Sequence, residues 1–311
     1  MSKLDLVNEL HREARRNFSR RHTKMLGIED TLQADLVEMI PYASNNKQMK
    51  YILTVINIFS KRAFARPLKN KTGKEVTQAM ESILKSMDHP IRNIHVDMGN
   101  EFYNSTMKNM LKERNINLYS TFTTKKAAIV ERFNRTLKNK MWKQFSLRGS
   151  YKWIDILQPL IKEYNNTKHR TIKMKPIDVN EKNEHNLLKT VYNYDTLSNQ
   201  KKRVKTKFKM GDFVRMSKYK HVFSKGYTPN WTTEIFKINR VQHTDPITYL
   251  LTDLEGNEIK GTVYQQELQL AQHPNLYLVE KIIRKKGNRV YVKWLGFDNN
   301  HNSWIDKKNV L

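Results

Sequence analysis

The sequence predicts an α/β domain followed by small all-β modules, and three observations support this. Between residues 32 and 182, apolar β-branched runs alternate with segments of helical spacing, which is typical of an α/β domain. From residue 208 onward, short strand-like runs are separated by turns containing Gly, Asn or Pro, which indicates all-β structure. The chain of 311 residues is also long enough for two or three domains.

The elements of the α/β domain follow from the periodicity of its apolar residues. Strands are predicted over residues 32–40, 51–59, 62–68, 92–96 and 117–120. Helices are predicted after the capping-box pattern Thr72–Glu75, around residues 107–111, and over residues 129–145 and 151–165. The order of three antiparallel strands, helix, strand, helix and strand predicts a mixed five-stranded sheet with helices.

The charge balance points to a polyanionic partner. The formal net charge is +27, from 57 Lys and Arg against 30 Asp and Glu. Such a surplus repels itself unless a polyanion is bound, so we expect nucleic acid binding. No cysteine is present, which excludes disulfides and Cys-ligated zinc. No apolar run approaches the roughly 18 residues of a membrane span, and the first residues lack a signal-peptide core. We therefore expect no membrane partner, and a nuclear location with cytoplasmic transit.

The remaining segments give the predicted domain organisation. Residues 1–31 form a basic N-terminal arm, either a helix on a phosphate backbone or a disordered tail, and residues 183–207 form a basic linker. Residues 208–271 are predicted to form a small β-barrel. A last β unit over residues 274–311 contains a turn at residues 286–289.

Three acidic residues lie in separate segments of the α/β domain. Asp35 and Asp97 are in or after predicted strands, and Glu131 begins a predicted helix, with 33 residues between Asp97 and Glu131. Three carboxylates at strand ends and a helix start would supply the oxygen ligands that Mg²⁺ or Mn²⁺ requires. The chain has 30 acidic residues, so the spacing alone is equally compatible with solvated surface charges.

The local sequence around these acids resembles a known family. The segments in question are Q-A-D at residues 33–35, D-M-G-N-E-F at 97–102, V-E-R-F-N-R-T-L-K at 130–138 and Y-N-N-T-K-H-R at 164–170. They resemble the catalytic core of retroviral-type integrases, and in detail the chain is most similar to integrases of Maverick/Polinton DNA transposons. The resemblance implies an RNase H-like fold, with Asp35, Asp97 and Glu131 as catalytic residues.

The same resemblance implies the reaction and its partners. Asp35, Asp97 and Glu131 would hold two Mg²⁺ (or Mn²⁺) ions, one activating water to cut the 3′ end of the element. The freed 3′-hydroxyl would then attack target DNA, with the second ion stabilising the leaving oxygen. A homo-oligomer is implied because two DNA ends must be joined. The family's N-terminal zinc domain is not expected, since the chain has no cysteine and only 31 residues precede the core.

Basic and polar residues near Glu131 are candidates for DNA contact. Asn134, Arg135 and Lys138 lie three, four and seven residues after Glu131, on its face of the helix. Lys125 and Lys126, in the preceding loop, could reach the same strand. An ordinary solvated lysine is the alternative for Lys138. Glu101 is four residues past Asp97, and we expect a structural role for it.

The C-terminal modules also show resemblances. Residues 208–271 are similar to the SH3-like barrel that follows many integrase cores, and residues 274–311 resemble a chromodomain. By that match Tyr277, Trp294 and Phe297 would form a methyl-lysine cage for a histone tail, and Trp304 would be a core residue. The chain ends before the C-terminal helix that normally braces a chromodomain, so a purely structural β unit remains the alternative.

The predicted function is that of a DNA integrase of a transposable element. The alternatives are a domesticated, non-catalytic DNA- or chromatin-binding protein, and a nuclease of the same fold that only hydrolyses DNA.

Overall fold

The computed structural model describes residues 3–21, 25–121, 127–192, 206–220 and 225–310. The chain divides into two compact units, which we call the core unit (Thr23–Lys201) and the β unit (Met1–His22 with Lys202–Leu311). The first helix, α1 (Lys3–His11), therefore belongs to the β unit. Among the helices of the described residues, none combines the length and the apolar character needed to cross a bilayer.

The core unit is built on the predicted mixed sheet. Its strands are β1 (Thr31–Glu38), β2 (Tyr51–Asn57), β3 (Ala63–Leu68), β4 (Asn93–His95) and β5 (Asn117–Tyr119). Their order is β3-β2-β1-β4-β5. The first three strands pair antiparallel, whereas β4 pairs parallel to β1 and to β5. The predicted mixed five-stranded sheet with helices is thus confirmed, and the structure adds the order of the strands within it.

Helices cover both faces of this sheet. They are α2 (Gly73–Lys85), α3 (Ser105–Glu113), α4 (Ala128–Arg148), α5 (Leu157–Asn166) and α6 (Glu181–Thr190). Apolar residues of α2 and α3 pack in one buried cluster with Leu32 and Ala34 of β1, and those of α4 and α5 pack in a second cluster with Val37. Because side chains alternate along a strand, Asp35 faces the same side as Val37, which is the side of α4.

The core unit extends past the boundary predicted at residue 182. The predicted linker begins instead with the last eight residues of α6, and Leu187 of that helix is buried with Ile28 and Phe59. The Glu184 carboxylate also accepts a hydrogen bond of 2.6 Å from the backbone N–H of Ile28. Leu188 of α6 and, just after it, Val191 and Tyr192 pack against the same cluster, so α6 belongs to the core unit.

The β unit contains two antiparallel sheets. The first comprises β6 (Phe213–Met216), β7 (Phe236–Gln242), β8 (Thr248–Thr252), β9 (Val263–Tyr264) and β10 (Leu268–Leu270), in the order β10-β6-β7-β8-β9. The second comprises β11 (Val279–Lys286), β12 (Arg289–Trp294) and β13 (Ser303–Asp306), in the order β11-β12-β13. The turn predicted at residues 286–289 is confirmed, and Gly287 adopts a positive φ of 57° there.

In the N-terminal arm, residues 3–11 form a helix that packs within the β unit, and the described residues 12–21 are not helical. Leu6 and Leu10 of α1 are buried in a cluster with Trp231 and Leu278. Farther along, Arg20 lies 3.2 Å from the Glu267 carboxylate. The arm is therefore a structural part of the β unit.

Trp304 is predicted to be a core residue, but the structure leaves it partly exposed. It is 37% exposed, and its ring lies 5.4 Å from that of Tyr291, the residue opposite it on β12. Since β13 is an edge strand of a three-stranded sheet, this tryptophan is covered on one side only.

Candidate active site

Asp35, the first of the three predicted acids, is half-buried near the middle of β1 on the α4 side of the sheet. One carboxylate oxygen accepts a hydrogen bond of 2.8 Å from the backbone N–H of Leu36. The other accepts a hydrogen bond of 2.8 Å from the side-chain amide of Asn134 on α4. The adjacent strand β2 contributes a third hydrogen bond, which the Thr54 hydroxyl donates to the Asp35 carbonyl oxygen. The position of Asp35 is therefore determined by β1, β2 and α4 together.

Asp97, the second acid, follows β4 directly and is half-buried. Its carboxylate accepts a hydrogen bond of 3.2 Å from the backbone N–H of Gly99. Its carbonyl oxygen accepts a hydrogen bond from Ser120, whose hydroxyl is also within 2.8 Å of the Tyr103 hydroxyl. The segment after β4 is thus anchored to the end of β5.

Glu131, the third acid, lies in the first turn of α4, and its side chain is exposed. Asn134, Arg135 and Lys138 lie on the same side of this helix and, with Asp35 and Glu131, line an open groove of about 390 Å³. The predicted common face of Glu131, Asn134, Arg135 and Lys138 is therefore present. Lys125 and Lys126 lie outside the described residues.

Asn134 has a role that the sequence pattern did not predict. It is 7% exposed, and its amide nitrogen holds the Asp35 carboxylate. Its own carbonyl oxygen is buried without a hydrogen-bond partner. Arg135 and Lys138, in contrast, are exposed and directed to the groove. The structure thus makes Asn134 a support of Asp35, whereas the two bases stay available to a phosphate backbone.

The charges of Asp97 and Glu131 both act on the Asp35 carboxylate. Burial is the largest cause that raises the pKa of Asp35 above its ordinary value of 3.8, and the negative charges of Asp97 and Glu131 raise it further. Hydrogen bonds from Leu36 and Asn134 partly offset these effects. Asp97 and Glu131 therefore both lie within electrostatic range of the Asp35 carboxylate.

The donor set fits a hard divalent cation. Carboxylate oxygens are the ligands that Mg²⁺ and Mn²⁺ prefer, and here three come from different elements. Within the described residues, however, no three acidic or histidine side chains approach closely enough to form a ready ligand cluster. Burial, and to a smaller extent the charges of Asp97 and Glu131, raise the pKa of Asp35, and a bound cation would favour its charged form.

The raised pKa of Asp35 predicts that Asp35→Asn stabilises the core unit without metal. A carboxyl whose pKa is raised on folding carries an uncompensated charge above that pKa, so the stability of wild-type protein falls as pH rises through it. We expect a higher melting temperature for the variant at pH 7 in EDTA, with each 1 kcal/mol giving about 2–4 °C. The difference should disappear near pH 4.

The control for this prediction is magnesium. Added Mg²⁺ should raise the melting temperature of wild-type protein more than that of Asp35→Asn, because only the wild type regains a charged ligand. Thermal unfolding curves at several pH values measure both effects. A variant less stable than wild type at pH 7 in EDTA would show that Asp35 is not electrostatically strained.

The β unit brings together the three predicted aromatic residues. The ring of Tyr277 lies 5.8 Å from that of Trp294 at 63°, and 5.7 Å from that of Phe297 at 72°. The indole N–H of Trp294 donates a hydrogen bond of 3.0 Å to the Ser303 hydroxyl, which fixes the plane of the ring. All three aromatics are half-buried, so each exposes part of its ring.

Comparison with known proteins finds one family model and two curated relatives that are similar to parts of this chain. Residues 29–124, which contain Asp35 and Asp97, match the family model described as the integrase core domain. An uncharacterized transposon-derived protein of Caenorhabditis elegans is 36% identical over 201 residues, covering 65% of this chain and 66% of that protein. A chromo domain-containing protein of the same organism, cec-1, is 46% identical over 46 residues, covering 14% of this chain and 15% of that protein. The chain thus spans just under two thirds of the first relative.

A solved structure shows the same fold. The intasome of simian T-cell lymphotropic virus in complex with PP2A regulatory subunit B56 gamma contains a chain that matches with a TM-score of 0.59. The identity is 14%, and the match covers 88% of this chain and 93% of the other. The likeness to this chain of the intasome is therefore one of fold, which includes the mixed five-stranded sheet with its flanking helices. Residues 29–124 of the core unit are thus similar to the integrase core domain family.

Proposed function

We propose that this protein is the integrase of a transposable element, which cuts the 3′ ends of the element and joins them to target DNA. The proposal is supported by two observations: Asp35 and Glu131 line one groove with Arg135 and Lys138, and the charges of Asp97 and Glu131 both act on Asp35. The integrase core domain, the transposon-derived relative and the net charge of +27 support it.

In this proposal the chain's own residues bind and orient the reacting groups. Asp35, Asp97 and Glu131 would hold two Mg²⁺ ions, which when bound supply activation of the attacking oxygen and stabilisation of the leaving oxygen. Asn134 keeps the Asp35 carboxylate pointed into the groove. Arg135 and Lys138 are placed to bind phosphates that flank the scissile bond. One phosphodiester is exchanged for another, so no external energy source is required.

The test is a nicking and joining assay with duplexes that carry the element ends. With Mg²⁺, wild-type protein should shorten the 3′ end and then yield joined products with a second duplex. DNA binding without either product at any Mg²⁺ or Mn²⁺ concentration would favour the non-catalytic binder. Shortened ends without joined products would favour a nuclease that only hydrolyses.

The kind of element is a further part of the proposal. The sequence resembles integrases of Maverick/Polinton transposons, and the transposon-derived relative is consistent with a mobile element. Inverted repeats flanking the gene, together with a neighbouring DNA polymerase gene, are the expected genomic context. A nuclear location and an assembly of at least two copies follow from the reaction, since two DNA ends must be joined in chromatin.

For the first sheet of the β unit, we propose the SH3-like role suggested by residues 208–271, namely sequence-tolerant DNA binding or contacts between copies. For its second sheet, we propose a chromodomain-like reader. The cluster of Tyr277, Trp294 and Phe297 and the 46-residue match to a chromo domain-containing protein support this role. A trimethylated lysine of a histone tail would be held against the three ring faces by cation–π attraction.

The reader role predicts that a trimethyl-lysine histone peptide binds the full chain more tightly than the unmodified peptide. Trp294→Ala should weaken this binding about tenfold or more, because a desolvated cation–π contact contributes about 2 kcal/mol. The matched control is Trp304→Ala, a partly exposed tryptophan of the same sheet outside the cluster. Fluorescence polarisation measures the affinities of the wild type and of both variants for each peptide. Equal affinity for methylated and unmodified peptides would instead indicate a purely structural sheet.

A further inference from the structure

The helix that carries Glu131 begins without a cap of its own. The residue before it, Ala127, has no side chain able to accept a hydrogen bond, although the first amides of a helix need acceptors. Gln33 of β1 supplies one instead. Its side-chain oxygen accepts hydrogen bonds of 3.1 Å from the backbone N–H of both Ile129 and Val130. The first turn of α4 is therefore fastened to β1 by a single buried amide.

His95 orients this amide. The side-chain nitrogen of Gln33 lies 3.1 Å from Nδ1 of His95. Since the amide nitrogen only donates, Nδ1 accepts, and the proton of the neutral ring is on Nε2, which lies 3.2 Å from the Thr121 hydroxyl. The imidazole also stacks on Tyr119, with 4.9 Å between ring centres and 5° between planes. Gln33 is 3% exposed and His95 5% exposed, so water competes poorly for these bonds.

The two residues lie at the same separation from their acids along the chain. Gln33 lies two positions before Asp35 and shares its face of β1, and His95, the last residue of β4, lies two positions before Asp97. The parallel pairing of β1 with β4 sets Gln33 directly beside His95. A continuous chain of hydrogen bonds thus joins the three segments that bear the three acids.

We propose that Gln33, oriented by His95, is a positioning residue that sets Glu131 relative to Asp35 and Asp97. We call the hydrogen bonds that run from His95 through Gln33 to the first turn of α4 the relay. The inference rests on the proposed function, because the relay would act in the assembly of that active site. Neither residue touches DNA or the reacting atoms. The relay determines where the first turn of α4 begins, and hence how far the Glu131 carboxylate lies from the other two.

Two variants test the relay, and a third serves as the control. Gln33→Leu removes the cap at nearly constant volume, and His95→Phe keeps a ring against Tyr119 while removing its hydrogen bonds. The control Gln158→Leu makes the same substitution elsewhere in the core unit, where the Gln158 amide donates 2.9 Å to the Ala65 carbonyl oxygen. All are made in the full chain.

For Gln33→Leu we expect the strand-transfer rate at saturating DNA to fall about 10²-fold, with apparent DNA affinity within twofold of wild type. The Mn²⁺ concentration for half-maximal binding, followed by water proton relaxation, should rise about 10–100-fold. Hydrogen exchange of the amides of residues 129–131 should quicken. His95→Phe should lower the rate by about a tenth of the factor seen for Gln33→Leu. Gln158→Leu should leave the strand-transfer rate, the Mn²⁺ dependence and the amide exchange unchanged.

These readouts separate the relay from the proposed function. If wild-type protein joins DNA and Gln33→Leu retains its rate, Mn²⁺ dependence and amide exchange, the relay is overturned and the function stands. If no protein joins DNA, the function fails, and Mn²⁺ binding and amide exchange still decide whether Gln33 positions Glu131. A uniform loss of stability with unchanged Mn²⁺ affinity would also overturn the relay, because it would reduce Gln33 to a helix cap.

Discussion

Asp35→Asn, Asp97→Asn and Glu131→Gln are each expected to lower strand transfer to about a thousandth of the wild-type rate or less. In the proposed site each substitution would remove one charged oxygen ligand while keeping the side-chain shape, and losing one preorganised electrostatic group commonly costs about 10²–10³ in rate. Three losses in one ligand set should not add, because the set acts as a unit. A joining assay with labelled duplexes measures the effect.

Glu101→Gln is the matched control for these variants. Glu101 lies four residues past Asp97, is half-buried, and offers its carbonyl oxygen to the side chain of Asn104. The causes that raise the pKa of Asp35 include Asp97 and Glu131 and do not include Glu101. Its variant should therefore keep near wild-type activity. Full activity in all three acid variants, or loss in Glu101→Gln alone, would refute the assignment of the site.

The largest expected effect on stability lies in the β unit, at the ion pair between Glu9 and Arg215. The two side chains are 2% and 1% exposed and lie 2.6 Å apart. Arg215 also donates to the carbonyl oxygens of Thr232 and Thr233, and the second Glu9 oxygen accepts from the backbone N–H of Gln272. The pair connects α1 to the first sheet of the β unit, so it anchors the N-terminal arm.

Glu9→Ala is expected to reduce the free energy of unfolding of the β unit by about 3–5 kcal/mol. The substitution leaves the Arg215 guanidinium buried without its counter-charge, which is far costlier than losing the pair as a whole. The double variant Glu9→Leu with Arg215→Met should therefore recover much of the loss. Urea unfolding followed by tryptophan fluorescence measures this, since Trp231 is buried beside α1.

An exposed ion pair in the same unit provides the comparison. Lys293 and Glu280 lie 2.7 Å apart, with side chains 28% and 40% exposed. Glu280→Gln should cost less than about 1 kcal/mol, because water already solvates both charges. If Glu9→Ala costs no more than Glu280→Gln, α1 does not dock on the β unit as the structure describes.

The period of the apolar residues was sufficient to predict the core sheet. Runs such as residues 51–59 are apolar and β-branched, which is typical of buried strands. The three acids were found by their local motifs, and the face shared by Glu131, Arg135 and Lys138 followed from helical spacing alone. These features depend on neighbours within a few positions, so a single sequence contains them.

The residues that hold the site in position, Gln33 and Asn134, were not predicted in this role from the sequence. Gln33 was noted only as the neighbour of an acid, although a polar residue on the inner face of an apolar strand was the available signal. Asn134 was assigned to DNA because its spacing matches that of Arg135. Its burial is a consequence of how α4 packs on β1, which helical spacing does not specify.

The amino-acid sequence by itself determined the order of strands and helices along the core unit, the candidacy of the three acids and the basic character of the protein. Tertiary structure alone decided that the arm is a docked helix, that α6 extends the core unit, and that Trp304 is partly exposed. The reason is distance along the chain. Gln33 meets His95 across 62 positions and Glu9 meets Arg215 across 206, and such contacts arise only when separately formed elements pack.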